Sequence, residues 1–343
     1  MPVLEKIKVA IIGATGFSGL DLVLMLSKHP KVKITYLCAT KNLGRKISFF
    51  DKRIKKNLPK ISSVAKINWK IVDLVFLSLP NGEAQKVIKK TFNKYIKLKY
   101  IDLSADFRIT DTKIYDKNYG IKHTTPNLIK YSNYSISEFS KKKINKFRII
   151  ANPGCYPTSI QLALVPIIRK NLINLGDITI DSKSGYSGAG KNLERKFTHK
   201  NLYKSTFAYS IKNHKHICEM DQELYKMTKK RIKYSFNAHL IPTFRGILSS
   251  IYVHTKPRCT GNQLRNERGI SQEKIDDSEF DINKMDDLPY FICNDTYFDY
   301  DDIDLNNVVK KIQNINPITR KEWWKLFENC EKRIDDFSEI CGV

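Results

Sequence analysis

Residues Ile7 to Ile12 form an almost unbroken apolar block that stops at a cluster of glycines, and Leu20 to Ser27 follows with apolar residues at helical spacing. Val32 to Leu37 then resumes as a second block. The pattern predicts strand, turn, helix and strand, a βαβ unit. Further blocks in "IVDLVFLSLP" and "KYIDLSAD" predict two more short strands, separated by the helix-like "NGEAQKVIKKTF". Solid apolar strands alternating with helices predict a parallel, doubly wound α/β sheet, because such strands are covered on both faces. The pattern changes after Asn152. A mostly apolar helix follows Cys155, and "DITIDSKSG", "FNAHLIPTF" and "GILSSIYVHT" predict a second sheet with longer antiparallel stretches. We therefore expect a first domain over residues 1–150, a second α+β domain over 151–300, and a tail over 301–343. In that tail "TRKEWWKLFENCEKRIDDF" has helical spacing, whereas "RNERGISQEKIDDSEFDINKMDDLPY" before it reads as loop or surface.

Composition changes this picture little. A chain of 343 residues is long enough for two ordinary cores, and no apolar run is long enough to cross a bilayer. Met1 to Lys8 runs into the first strand without an export signal, so the cytoplasm is the expected compartment. The seven cysteines are scattered without paired short spacings, which argues for reduced thiols and against a disulfide framework or a structural zinc site. The net charge of +25 raises nucleic acid as a partner. Lysine is spread over nearly every segment, however, and no basic stripe or recognised nucleic-acid motif stands out. We expect neither a nucleic-acid nor a membrane partner, and a positive field that gathers anionic substrates.

The glycine cluster is "GATGFSG", a G-x-x-G-x-x-G turn between a strand and a helix. Missing side chains let backbone approach a pyrophosphate, and the helix N-terminus turns N–H groups and dipole toward it. Gly13, Thr15, Gly16, Phe17, Ser18 and Gly19 are the expected cofactor contacts of a Rossmann-like domain. An NAD site usually shows a carboxylate about 20 residues further on. Here the neighbourhood is "LCATKNLGRK", in which Thr40, Lys41, Arg45 and Lys46 offer a hydroxyl and cations suited to a 2′-phosphate, so NADP(H) is the expected cofactor, with Thr40, Lys41 and Arg45 as the expected contacts.

Cys155 stands between Pro153-Gly154 and Tyr156-Pro157, at the predicted mouth of a helix. Unpaired N–H groups and the positive dipole end there stabilise a thiolate. A thiolate beside a nicotinamide suggests attack on an activated acyl group, giving a thioester that hydride can reduce to an aldehyde. His214 and His216, two apart in "NHKHICEMDQEL", supply an acid-base candidate. A metal held by both histidines and Cys218 on one strand face is the alternative, short of further ligands. Gly185, Gly188 and Gly190 in "SKSGYSGAGK" let backbone approach cofactor or substrate, with Ser187 and Gly188 as contacts. Arg108 and Arg245 are carboxylate or phosphate clamps, or structural ion pairs, Asp102 and Asp106 being close to Arg108 in sequence.

"GATGFSG", "LSADFR", "NPGCYPT", "SGYSGAG", "HKHICEMDQEL" and "PTFRGIL", in this order over about residues 7 to 255, resemble the N-acetyl-γ-glutamyl-phosphate reductase family of arginine biosynthesis. The resemblance implies a dinucleotide-binding domain plus an α+β catalytic and oligomerisation domain, as in the aspartate-semialdehyde dehydrogenases. It implies NADPH-dependent reduction of an acyl phosphate, N-acetylglutamyl 5-phosphate, to the 5-semialdehyde through a thioester, by a homodimer or tetramer. Carried over, the nucleophile is Cys155 and the acid-base residue His216, with His214 beside it; with the two arginines read above, His214, Arg108 and Arg245 are the expected substrate contacts. Cys218 stands where members usually have proline. The family's closing helix has its nearest counterpart in "LNNVVKKIQNINP", where Asn307, Val309 and Lys310 echo the motif without its small residues. An aspartate-semialdehyde-dehydrogenase-like enzyme and an inactive member with an altered tail are the rival expectations.

Overall fold

The computed structural model describes residues 5–140, 144–190, 205–211, 213–256 and 293–294. The acidic segment 265–290, the tail 301–343 and its expected helix lie outside them. The chain divides into two compact units between Gly154 and Cys155.

The first unit is built from β1 (Ile7–Ile12), α1 (Phe17–Lys28), β2 (Val32–Cys38), β3 (Ile61–Ser62), β4 (Leu74–Leu77), α2 (Glu83–Thr91), β5 (Lys99–Asp102), α3 (Thr112–Tyr119), β6 (Ser132–Tyr134), the short α4 (Ser137–Ser140) and β7 (Ile149–Ala151). Its seven strands lie in the order β3-β2-β1-β4-β5-β7-β6, with every neighbouring pair parallel. The chain winds outward from β1 in one direction and from β4 in the other, so the sheet is doubly wound. The pleat of β1 explains its solid apolar sequence. Val9 and Ile11 enter one core layer with Leu20, Leu22, Val23 and Leu26 of α1, while Ala10 and Ile12 enter the opposite layer with Ala84 and Ile88 of α2. Both layers exclude water, and each fully buried Leu or Val contributes about 2 kcal/mol of hydrophobic stabilisation. Helix α1 starts three residues before the apolar spacing indicates, because its first turn belongs to the glycine loop.

The cap of α2 comes from far away. Its N-cap, Gly82, has φ +87° and no side chain to offer. Asp106, just beyond β5, accepts from Gly82 N at 2.6 Å and from Gln85 N at 3.1 Å. Two of the donors left over at the helix start are satisfied in this way. Tyr115 of α3 also donates to Asp106, at 2.7 Å.

The second unit holds α5 (Cys155–Arg169), β8 (Ile173–Ser184), β9 (Phe207–Tyr209), α6 (Ile217–Thr228), β10 (Tyr234–Leu240), β11 (Ile247–Thr255) and β12 (Cys293–Asn294). The sheet order is β12-β11-β8-β10-β9. The expected long antiparallel stretch is the β8–β11 pair, and the sheet as a whole is mixed, since β8 also pairs parallel with β10. The reason is the connection. An entire helix, α6, lies between β9 and β10 and brings the chain back for a parallel pairing. Ile160, Leu164 and Ile167 of α5 and Met220 and Leu224 of α6 form one core with Ile178, Ile180, Phe236, Ala238 and Ile251 of the sheet. No helix among the described residues is long and apolar enough to cross a membrane.

Candidate active site

The glycine turn hangs from the end of β2, since Gly13 N and Ala14 N donate to Cys38 O at 2.9 and 3.1 Å. Gly13 has φ +91°, and a Cβ there would lie 1.9 Å from Ser78 O. A Cβ on Gly19 would lie 2.1 Å from Gly13 O. Packing of the turn alone therefore requires these two glycines. Gly16 is different, because its nearest neighbour would be Gly13 O at 3.4 Å. The fold does not need its missing side chain, but a ligand approaching the backbone does. Gly16 is also the N-cap of α1, without a side-chain cap and with no acidic residue in the first turn. A helix start with no side-chain cap on its N-cap glycine and no acidic residue in its first turn fits a dinucleotide pyrophosphate. Thr15, Phe17 and Ser18 lie in the same turn, half-buried. Thr40, Lys41 and Arg45 stand exposed in the loop after β2.

Arg108 follows β5 and is buried. Its Nε donates to Asn152 O at 2.6 Å and its Nη2 to Leu103 O at 2.7 Å. Asn152 N in turn donates to Asp102 O at 2.8 Å. These bonds tie the "LSADFR" loop to the "NPG" segment that precedes Cys155, so the guanidinium holds the backbone on the approach to that cysteine. Beside it, burial and then the charge of Asp106 push the wholly buried Asp102 up to about 8. Both causes favour the neutral form of Asp102, which relieves the repulsion between the two carboxyls.

In the second unit Cys155 opens α5, half-buried and packed against the core. The next residue joins it to the histidines. The buried ring of Tyr156 meets His214 edge-on at 5.4 Å and His216 at 6.0 Å. Its hydroxyl donates to His239 O at 3.3 Å and accepts from Tyr209 at 3.1 Å. Burial raises both tyrosines, and a charge on Cys155 raises them further, so they stay protonated beside a thiolate.

The two histidines are not equivalent. His214 is buried among Tyr156, Tyr209, Phe236 and His216. Burial, with Lys215 adding to it, pushes it down to about 4. Its Nδ1 accepts from His216 N at 3.1 Å. His214 is thus a neutral imidazole that holds the backbone of its neighbour. His216 is the N-cap of α6, and its Nε2 lies 4.0 Å from Oε1 of the fully buried Glu219 one turn along. A carboxylate at that distance lowers the energy of an imidazolium. Glu219 is not among the residues the sequence singles out; its i,i+3 spacing from His216 brings the two together only on a helix, whereas the metal alternative sets His214, His216 and Cys218 on a strand face. The strand face proposed for a metal does not exist. His214 lies in a turn and Cys218 in α6, where burial first and Glu219 next push its thiol up to about 12 and its Sγ donates to Lys215 O. No group of three or more His, Cys, Asp or Glu among the described residues could hold a metal ion.

The "SGYSGAG" and "PTFRGIL" segments, far apart in sequence, are laced together. Gly185 N, Tyr186 N and Ser187 N donate to Gly246 O, Thr243 O and Phe244 O at 2.9, 3.0 and 2.9 Å. A Cβ on Gly185 would lie 2.8 Å from Arg245 N, so the lacing needs that glycine. Ser187 and Gly188 continue the same short turn, and Arg245 lies over the ring of Phe244 at 5.1 Å.

The dinucleotide turn on a doubly wound sheet, followed by an α+β unit that opens with a cysteine, defines the semialdehyde dehydrogenase class. Residues 8–170 match the semialdehyde dehydrogenase NAD binding domain and residues 155–280 the semialdehyde dehydrogenase dimerisation domain. Aspartate semialdehyde dehydrogenase II of Vibrio cholerae superposes with a TM-score of 0.57 at 19% identity, covering 77% of this chain and 78% of that one. The NADP-bound aspartate semialdehyde dehydrogenase of Candida albicans gives 0.52 at 17% identity, over 77% and 76%. These likenesses establish the fold. Sequence relatives are nearer. N-acetyl-gamma-glutamyl-phosphate reductase of Ehrlichia canis is 41% identical, covering 72% of this chain and 71% of its own length. That of Afipia carboxidovorans is 36% identical over 79% and 78%. A probable chloroplastic counterpart in Oryza sativa is 38% identical over 76% and 62%. The chain belongs to the N-acetyl-γ-glutamyl-phosphate reductase family.

Proposed function

We propose that the protein reduces N-acetyl-L-glutamyl 5-phosphate to N-acetyl-L-glutamate 5-semialdehyde with NADPH, releasing phosphate, through a thioester on Cys155. The observation that carries the mechanism is a half-buried thiol on a helix N-terminus whose neighbour, Tyr156, packs against both histidines. His216 takes the Cys155 proton, and Glu219 stabilises the imidazolium. The thiolate attacks the acyl carbon, the S–C bond forms, the C–O bond to phosphate breaks, and His216 returns its proton to the departing phosphate. The reduced nicotinamide, when bound, supplies hydride to the thioester carbonyl. The resulting alkoxide collapses to the aldehyde and expels the Cys155 thiolate. One proton from solvent restores the starting state, so acyl phosphate, NADPH and a proton become aldehyde, NADP and phosphate.

Gly13, Thr15, Gly16, Phe17, Ser18 and Gly19 would hold the pyrophosphate, and Thr40, Lys41 and Arg45 the 2′-phosphate. Ser187 and Gly188 remain cofactor contacts and Arg245 a substrate clamp in this reading, whereas Arg108 is better supported as a strut of the nucleophile loop. The dimerisation-domain match supports a homo-oligomer, and we propose a dimer or tetramer. Cys38, Cys155 and Cys218 stand as thiols and not in disulfides, which suits a reducing compartment such as the cytoplasm. The test is phosphate-dependent reduction of NADP with the semialdehyde, the reaction run in reverse. Turnover is expected from the purified protein and should vanish in Cys155→Ser with NADPH binding intact. Loss of binding together with turnover would make the cysteine structural.

A further inference from the structure

The first unit carries arginines at 45, 53, 108 and 148, and three of them are spent inside the fold. Arg53 is paired with Asp51 at 2.9 Å and Asp21 at 3.2 Å. Arg108 binds two backbone carbonyls, as described above. Arg148 donates to Phe92 O and Tyr95 O, both at 2.9 Å, beyond the end of α2. Arg45 differs. Among the described residues its guanidinium makes no hydrogen bond and no ion pair, and its single contact is with the ring of Phe49, 4.1 Å from guanidinium carbon to ring centroid. Phe49 itself is 64% exposed and meets Phe50 edge-on at 5.2 Å, so the ring is held from one side and open to solvent on the other.

The backbone beneath this stack is fixed. Ile61 N donates to Arg45 O at 2.9 Å and Gly44 N to Ile61 O at 2.8 Å, which pins the loop to β3. The same loop continues from the end of β2, on which the glycine turn hangs. In an open doubly wound sheet the end of this strand is where the adenosine ribose of a dinucleotide is read. A ring attracts a guanidinium through its charge and, unlike a carboxylate or carbonyl, takes up none of its N–H donors in conventional hydrogen bonds.

We propose that Phe49 is a specificity-determining positioning residue: it holds Arg45 with its donor edge unspent, ready for bidentate binding of the dianionic 2′-phosphate that separates NADP(H) from NAD(H). This rests on the NADP(H) reading above and extends it to a residue with no polar atom of its own. Lys41 adds charge without geometry, whereas the stack supplies a planar fork.

The experiment measures binding to the full chain by titration calorimetry, with adenosine 2′,5′-bisphosphate and 5′-AMP as probes. Phe49→Ala should weaken the bisphosphate about two- to fivefold, the range expected for an exposed cation–ring contact, and leave 5′-AMP unchanged. Phe49→Tyr should restore wild-type affinity. Arg45→Lys should lose at least as much as Phe49→Ala although it keeps the charge. An unchanged bisphosphate affinity in Phe49→Ala alongside a loss in Arg45→Ala overturns the role of Phe49 and leaves the NADP(H) reading standing. Equal weakening of both probes in Phe49→Ala also overturns it, since the ring would then serve the adenosine as a whole. If Arg45→Ala changes neither probe, the 2′-phosphate assignment falls as well.

Discussion

His214 is predicted to make the second unit sensitive to acid, by an amount that follows from its surroundings. Its folded-state value near 4 stands below the 6.5 of an unhindered imidazole. Between those values the unfolded chain takes up a proton that the folded one refuses. Stability is therefore full above pH 6.5, falls as pH drops, and stops falling below about 4. At about 1.4 kcal/mol per pH unit the whole loss is ~3 kcal/mol, of which about 2 kcal/mol falls between about pH 7.5 and about pH 5. Both figures are upper values, since nearby water screens part of the effect. His214→Asn removes the titration and keeps an acceptor for His216 N. Hydrogen exchange of peptides from α5 and β10, corrected for intrinsic rates, reads local stability without requiring the two units to unfold together. Across that pH interval wild-type protection should drop about 30-fold more than that of the variant, the equivalent of 2 kcal/mol. Other titrating groups cancel in the comparison. Equal drops in the two proteins would refute the claim that the buried neutral ring is the sensitive element.

Four further outcomes are expected. Glu219→Gln should lower kcat about tenfold, the scale of one lost charge contact to an imidazolium, with KM little changed and the acid limb of the rate profile moved to lower pH; an unaltered profile would remove Glu219 from the mechanism. Gly19→Ala should fail to fold or lose several kcal/mol, on the order of a severe backbone clash, because its Cβ would meet Gly13 O at 2.1 Å. Gly16→Ala should fold normally by circular dichroism and bind NADPH more weakly; a normal affinity would show that the ligand does not approach Gly16. Arg108→Met should cost about 3 kcal/mol in denaturant unfolding, as two charge-assisted bonds to carbonyls are lost, whereas full stability with a raised substrate KM would restore Arg108 to the substrate.

The parts of the structure that depend on local pattern were legible in the sequence. The bounds of β1 follow from its apolar block, and the glycine turn announces itself through spacing. Cys155 at a helix start is implied by Pro-Gly before it and the apolar helix after it. What stayed hidden depends on burial and on contacts between distant segments. Nothing local says that His214 is enclosed by Tyr156, Tyr209 and Phe236, so it seemed as good an acid-base candidate as His216. The choice of partners for Arg108 turns on Asn152 O, 44 residues away, and sequence proximity to Asp102 and Asp106 pointed elsewhere. The parallel pairing of β8 with β10 was missed for a related reason. The pattern of apolar positions marks three strands there and no helix between them, so the crossover through α6 does not emerge from it.

The distant cap of α2 bears on the order in which the chain acquires structure. A helix of nine residues is too short to persist alone in water, and this one starts at a glycine that cannot cap it. The carboxylate that completes it lies 24 residues downstream of Gly82. Nucleation of α2 must therefore wait until β5 has left the ribosome and found its place beside β4. The opening βαβ segment of β1, α1 and β2 has no such dependence, and its pairing is local. Assembly of the first sheet should thus proceed outward from the dinucleotide turn, with the flank that leads to the nucleophile as the late, slow-closing side.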